Sequence, residues 1–136
     1  SGHLFFADKF YGFDDGIYAS LRLIELLSKV KKPLSELLDK IPKYHSSPEI
    51  RIECKDDNEK NKIVESSVQY FKNKFEHDLI DGIRIEFENG WGLIRSSNTQ
   101  PVIVCRFEAN SKESLEEIQN LVYTRLKIYG DIEVEN

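Results

Sequence analysis

The chain has 136 residues, 40% of them hydrophobic and 32% charged, with a formal net charge of −5, which suits one domain, or one domain with an appendage, around a real core. That acidic balance argues against general nucleic-acid affinity, which draws on clustered lysine and arginine, so no nucleic-acid partner is expected and any anion site must be local. No stretch approaches the roughly 20 apolar residues of a membrane helix, and the first residues carry no basic-then-apolar signal pattern, so no membrane partner is expected and the default location is cytoplasmic.

In chain order, His3–Ala7 reads as a short strand. Asp14 or Asp15 can then cap a helix whose apolar positions Ile17, Leu21, Ile24 and Leu27 recur at helical spacing. Pro33 starts a second short helix through Leu37 and Leu38, stopping near Pro42. Tyr44–Pro48 has the polar composition of an interdomain linker or loop, and the domain boundary is placed there, giving regions 1–44 and 45–136. The chain contains no methionine and opens directly on Ser1-Gly2-His3-Leu4-Phe5-Phe6, so the expected reading is a piece of a longer protein, with Ser1 and Gly2 either native or a cloning scar.

The second region has a cleaner pattern. Ile50, Ile52 and Cys54 alternate with charged residues as a half-buried strand. A helix follows with a core stripe of Val64, Val68, Phe71 and Phe75, and with Lys60, Lys62, Glu65 and Lys72 mainly off it. Ile83, Ile85 and Phe87 alternate with Arg84, Glu86 and Glu88, and Asn89-Gly90 predicts a type I′ hairpin turn into Trp91–Arg95. Val102–Ala109 is the next strand, with Ile103, Cys105 and Phe107 on one face. Asn110 or Ser111 caps a last helix with Leu115, Ile118, Val122 and Leu126 facing inward, and Ile132–Val134 reads as a final short strand. This order predicts an α+β fold, an antiparallel sheet with helices packed on one face. Cys54 and Cys105 lack metal-ligand spacing and read as two reduced, buried thiols, with a disulfide as the alternative.

Between the last two long strands runs Arg95-Ser96-Ser97-Asn98-Thr99-Gln100-Pro101. Arg95 offers a planar fork suited to phosphate or carboxylate, and the three hydroxyls can each donate. The plain alternative is a solvated turn, which favours the same residue types. His45 and His77 stand alone without partners at ligand spacing, and Asp14-Asp15 and Asp56-Asp57 read as helix caps rather than metal sites.

This loop, with Asp81-Gly82-Ile83-Arg84-Ile85-Glu86-Phe87 and Gly90-Trp91-Gly92 before it, resembles the last-domain signature of the α-D-phosphohexomutases, the phosphomannomutase/phosphoglucomutase family. Ser1-Gly2-His3-Leu4-Phe5-Phe6-Ala7-Asp8 and Tyr11-Gly12-Phe13-Asp14-Asp15 resemble the end of the sugar-recognition motif in the third domain of the same enzymes. The resemblance implies a C-terminal portion of such a mutase: a helical remnant of an α/β domain, then a C-terminal domain with a fold like that of the TATA-box-binding protein. It implies that Arg95, Ser97, Asn98 and Thr99 hold the substrate phosphate not undergoing transfer, that Ser1 belongs to the sugar-binding motif, and that His3 takes the place of a histidine near the reacting phosphate. Ser96 and Gln100 occupy variable motif places and are left out of the site. The implied reaction moves a phosphoryl group between the 1- and 6-oxygens of a hexose through a phosphoserine, with bound Mg²⁺ and a hexose 1,6-bisphosphate intermediate. Neither the serine loop nor the aspartate-rich metal loop occurs in these residues, so the portion alone is expected to be non-catalytic, with the other domains of the same chain as its partners. Asn98 stands where phosphoglucosamine mutases typically carry glycine, which favours mannose or glucose phosphates. The alternatives are a phosphoglucosamine mutase portion or a stand-alone anion-binding module.

Overall fold

The computed structural model describes residues 2–134, so the Ser1 reading lies outside the described residues. The chain divides into two compact units, Ser1–Pro42 and Lys43–Asn136.

In the first unit, Asp15 caps helix α1 (Gly16–Val30) by accepting from the Tyr18 amide at 2.9 Å. Lys31 ends it in the left-handed conformation, φ 53°, its amide returning to Leu27 O. The helix has an apolar stripe but buries none of its residues, and Ile17 is 78% exposed. Helix α2 (Leu34–Leu38) follows Pro33, which serves as its N-cap. The strand expected over His3–Ala7 is reduced to one bridge, Phe5 with Asp14, because the described residues of this unit offer it no sheet to join. Aromatic packing holds the turn instead: Phe10 stacks on Tyr18 at 4.1 Å, and the Arg22 guanidinium lies 5.1 Å from the Phe6 ring centre and pairs with Asp8.

The second unit contains strands β1 (His45–Ser46), β2 (Ile50–Glu53), β3 (His77–Asp78), β4 (Ile83–Phe87), β5 (Gly90–Ser96) and β6 (Val102–Ala109), with helices α3 (Asp57–Lys72) and α4 (Lys112–Tyr129). All pairings are antiparallel, in the order β1-β6-β5-β4-β3, with β2 on the same edge of β6 as β1. The α+β class and the antiparallel sheet are those expected from the sequence. The period-2 residues Ile52, Ile83, Ile85, Ile94, Ile103, Cys105 and Phe107 form one fully buried face, against Ile63, Val64 and Phe71 of α3 and Ile118, Val122 and Leu126 of α4. Asp56 and Ser111 cap these helices from the side chain.

Four local expectations are corrected. The expected linker Tyr44–Pro48 contributes β1: beyond the reach of β2, the far end of β6 would have an unpaired edge, and His45 and Ser46 pair with Ala109 and Glu108. Ser47, only 5% exposed, donates its amide to Phe107 O and accepts the Phe107 amide on its hydroxyl. The hairpin turn is Glu88-Asn89, since Phe87 pairs with Gly90, and neither Asn89 nor Gly90 has positive φ, so it is not type I′. Gly90 is required for a different reason: a Cβ there would sit 2.2 Å from Glu108 O. Ile132–Val134 forms no strand; burial of Ile132 in the core, not ladder pairing, holds it. The expected α3 stripe Val64, Val68, Phe71 and Phe75 does meet the core, but the buried face also takes in Lys60, Ile63 and Ser67, so a lysine read as off the stripe is inside.

Cys54 and Cys105 are both free thiols, Cys105 fully buried and Cys54 half-buried. Burial pushes the Cys105 thiol up to about 12 and the Tyr123 hydroxyl to about 12. The unfolded chain therefore gains a thiolate above pH 9 that the native state does not accept, and stability present below that pH is lost as the pH rises towards about 12. Urea unfolding between pH 8.5 and 10.5 should show this fall, and Cys105→Ala should make it shallower.

A candidate anion site at the turn between β5 and β6

The pleat of the sheet decides which side chains meet at this turn. Ile94 points into the core, so its neighbour Arg95 points to the opposite face, which neither α3 nor α4 covers. Val104 of β6 pairs with Arg95 on one side and Arg51 of β2 on the other. Directly opposed residues share a face, so two guanidinium side chains flank one valine that is only 2% exposed.

Arg95 is half-buried and stands 3.9 Å from the exposed carboxylate of Asp81. A pair that open contributes less than about 1 kcal/mol, and it leaves the guanidinium free to exchange Asp81 for a stronger anion. Gly82 makes this approach possible: its φ is +73°, and a Cβ would sit 2.1 Å from Ile94 O and 2.8 Å from Arg95 Cα.

The turn itself is held from beneath. The Ser97 amide donates to Val102 O at 2.9 Å, Val102 N–H to Gln100 O at 2.8 Å, and Cys54 N–H to Pro101 O at 2.9 Å. The Arg51 guanidinium donates to the Gln100 side-chain oxygen at 2.5 Å. Lys60, 6% exposed, donates to Ser97 O at 2.9 Å, Gln100 O at 3.2 Å and the Asp57 carboxylate at 2.6 Å. Ser97 is 9% exposed and its hydroxyl oxygen accepts the Thr99 amide at 3.4 Å, while the side chains of Asn98 and Thr99 face solvent. With the carbonyls of Ser97 and Gln100 turned towards Lys60 and the Ser97 and Thr99 amides bonded within the turn, the donors this segment leaves for a ligand are the Asn98 amide and the exposed side chains of Asn98 and Thr99. Such an arrangement fits an anion with several acceptor oxygens.

Ser97, Asn98 and Thr99 thus lie on one short turn, and Arg95 is in the last residues of the strand that leads into it. Gln100, set aside on sequence grounds, is one of its anchors. His3 belongs to the other unit, where its Nδ1 meets Asp14; the hydrogen bond from His3 holds the Asp14 carboxyl below its ordinary range. Lys60 and Arg51 escaped the sequence reading because nothing in it joins them to a loop 37 and 49 positions away. Among the described residues no three of His, Cys, Asp and Glu converge to hold a metal, so the Mg²⁺ implied by the resemblance has no seat among them. No helix is long and apolar enough to cross a membrane among the described residues.

The chain is similar to known proteins. Residues 49–124 match the family described as phosphoglucomutase/phosphomannomutase, C-terminal domain, and residues 1–44 match its alpha/beta/alpha domain III. A phosphoglucomutase of Neisseria gonorrhoeae is 43% identical over 88% of this chain and 26% of its own length. A phosphomannomutase/phosphoglucomutase of Pseudomonas putida is 44% identical over 93% of the chain and 27% of its own length. The crystal structure of a phosphoglucomutase/phosphomannomutase family protein from Burkholderia thailandensis superposes with a TM-score of 0.78 at 39% identity, covering 96% of this chain and 28% of that one. The chain therefore spans about a quarter of the length of the relatives it matches, and it belongs to the phosphoglucomutase/phosphomannomutase family.

Proposed function

We propose that Arg95, Ser97, Asn98 and Thr99 form a clamp for the phosphate of a hexose phosphate, the one not being transferred, and that residues 45–136 are the phosphate-binding domain of a phosphomannomutase/phosphoglucomutase. The observation that carries this is a half-buried, weakly paired Arg95 ending the strand before a turn whose Ser97 and Gln100 carbonyls are drawn inward to Lys60 and whose Asn98 and Thr99 side chains are exposed. The Arg95 fork takes two phosphate oxygens, and the hydroxyls of Ser97 and Thr99 with the Asn98 amide take the rest. Phosphoryl transfer asks mainly for positioning and charge stabilisation, so a domain that fixes the far phosphate contributes to the reaction without touching the reacting bond. Residues 1–44, by this reading, belong to the sugar-binding domain, with Ser1 in the sugar motif and His3 near the reacting phosphate. The phosphoserine and the Mg²⁺ loop would come from other parts of the enzyme, which works in the cytoplasm and passes through a hexose 1,6-bisphosphate. Asn98 favours glucose and mannose phosphates over glucosamine phosphate.

Calorimetric titration of the 136-residue chain tests the reading. Glucose 1-phosphate, mannose 6-phosphate and inorganic phosphate should each bind with Kd on the order of millimolar, since one turn supplies few contacts, and free glucose should not bind. Binding of free glucose as tight as that of its phosphates would overturn it.

A further inference from the structure

Lys60 is buried, carries a charge, and has no place in the clamp as described, since it faces the underside of the turn. Burying an ammonium is costly unless it is fully hydrogen-bonded, and this one is: its three donors meet three acceptors, Ser97 O, Gln100 O and the Asp57 carboxylate, at 2.9, 3.2 and 2.6 Å. Two of them are main-chain oxygens at either end of the segment that holds Asn98 and Thr99, and α3, through its capped first turns, fixes the point from which Lys60 reaches them. From these contacts we infer that Lys60 is a positioning residue that sets the shape of the 97–100 turn, and thereby the phosphate affinity of the clamp; this rests on the clamp reading above.

The alternative role is electrostatic, a positive charge placed behind the phosphate. Asp57 argues against it, because a carboxylate 2.6 Å from the ammonium cancels most of the field that the pair projects. What remains is geometric. Without Lys60, Gln100 O keeps the Val102 amide but Ser97 O is left unpartnered, and rotation of the Ser97–Asn98 peptide plane would redirect the Asn98 amide. Among the described residues no acceptor in the protein takes the Asn98 amide, so Lys60 is the nearest constraint on where that donor points.

The experiment compares the 136-residue chain with Lys60→Met, which keeps the stem and removes the donors, and Lys60→Arg, which keeps donors on a longer stem. Amide spectra without phosphate give the first readout: in Lys60→Met the signals of residues 97–100 should shift or broaden while those of β4 and α4 stay in place. Inorganic phosphate titration gives the second: Lys60→Met should lose roughly tenfold in affinity, with part of it restored in Lys60→Arg. Unchanged signals at 97–100 in Lys60→Met would overturn the inference even if phosphate binds nowhere. Unchanged phosphate affinity in Lys60→Met, where Arg95→Ala weakens binding roughly tenfold or more, would overturn it and leave the clamp standing. Should Lys60→Met fail to fold, Asp57→Asn is the substitute, because Asp57 is exposed and is one of the three acceptors of the ammonium: a shift at 97–100, beyond the local one around residue 57, supports the inference and its absence opposes it.

Discussion

Replacing Arg95 with alanine should weaken phosphate binding ten- to a hundredfold at a smaller cost in stability. The affinity loss follows from removing a charge-assisted hydrogen-bonding pair worth about 1.5–3 kcal/mol. The small stability loss follows from what Arg95 does in the free protein: its ion pair with Asp81 is 3.9 Å long and exposed on the Asp81 side, which is worth less than about 1 kcal/mol. The two measurements therefore separate a binding residue from a structural one. Arg95→Lys should recover only part of the affinity, because the ammonium keeps the charge and loses the fork. Asp81→Asn should move the other way and tighten phosphate binding slightly, since it removes the carboxylate that competes for the same guanidinium. Titrations of the three variants beside thermal unfolding check this, and equal affinities for the parent chain and Arg95→Ala would contradict it.

The second large effect is on stability. Gly82→Ala should lower it by about 2–4 kcal/mol, from a strained left-handed backbone plus a collision that only backbone movement can relieve. The added Cβ would press on Ile94 O and Arg95 Cα at 2.1 and 2.8 Å, where β4 and β5 make the Ile83–Ile94 pair. Moving Arg95 to make room also misplaces the fork, so phosphate affinity should fall together with stability, unlike in Arg95→Ala. Gly16→Ala is the control: no atom lies within 4 Å of its Cβ and it opens α1, so urea unfolding should detect little change. A Gly82→Ala chain as stable as its parent would mean that the loop before β4 does not rest on Arg95.

Most of the second unit was legible because its strands are half-buried and announce their faces. Strict alternation over Ile83–Phe87 and the run Ile103, Cys105, Phe107 needed only the pleat, and the caps at Asp56 and Ser111 needed only local chemistry. The errors share a cause in long-range pairing. Tyr44–Pro48 looks like a linker until the free edge of β6 is known, and Asn89-Gly90 looks like a type I′ turn until the register puts Gly90 opposite Phe87 and against Glu108. In the candidate site, the residues of one turn could be read from the loop itself. Its support could not. Lys60 lies three positions before Ile63 and seven before Ser67, on the buried stripe, and that spacing was the available signal; a lysine there reads as a solvated charge unless something on another element accepts from it. The exposed stripe of α1 was visible as a helix, but its exposure belongs to the unit and not to the helix pattern.

The central claim is that the turn after Arg95 is built to receive phosphate. Its most direct test is a titration of the isotope-labelled 136-residue chain with inorganic phosphate, following every backbone amide. The amides of Ser97, Asn98 and Thr99 and the Arg95 side-chain signals should move first and together, saturating at one millimolar-range midpoint, with His45, His77 and the residues of α1 unmoved. If those amides stay in place while others respond, the loop is an ordinary polar turn and the clamp reading is wrong.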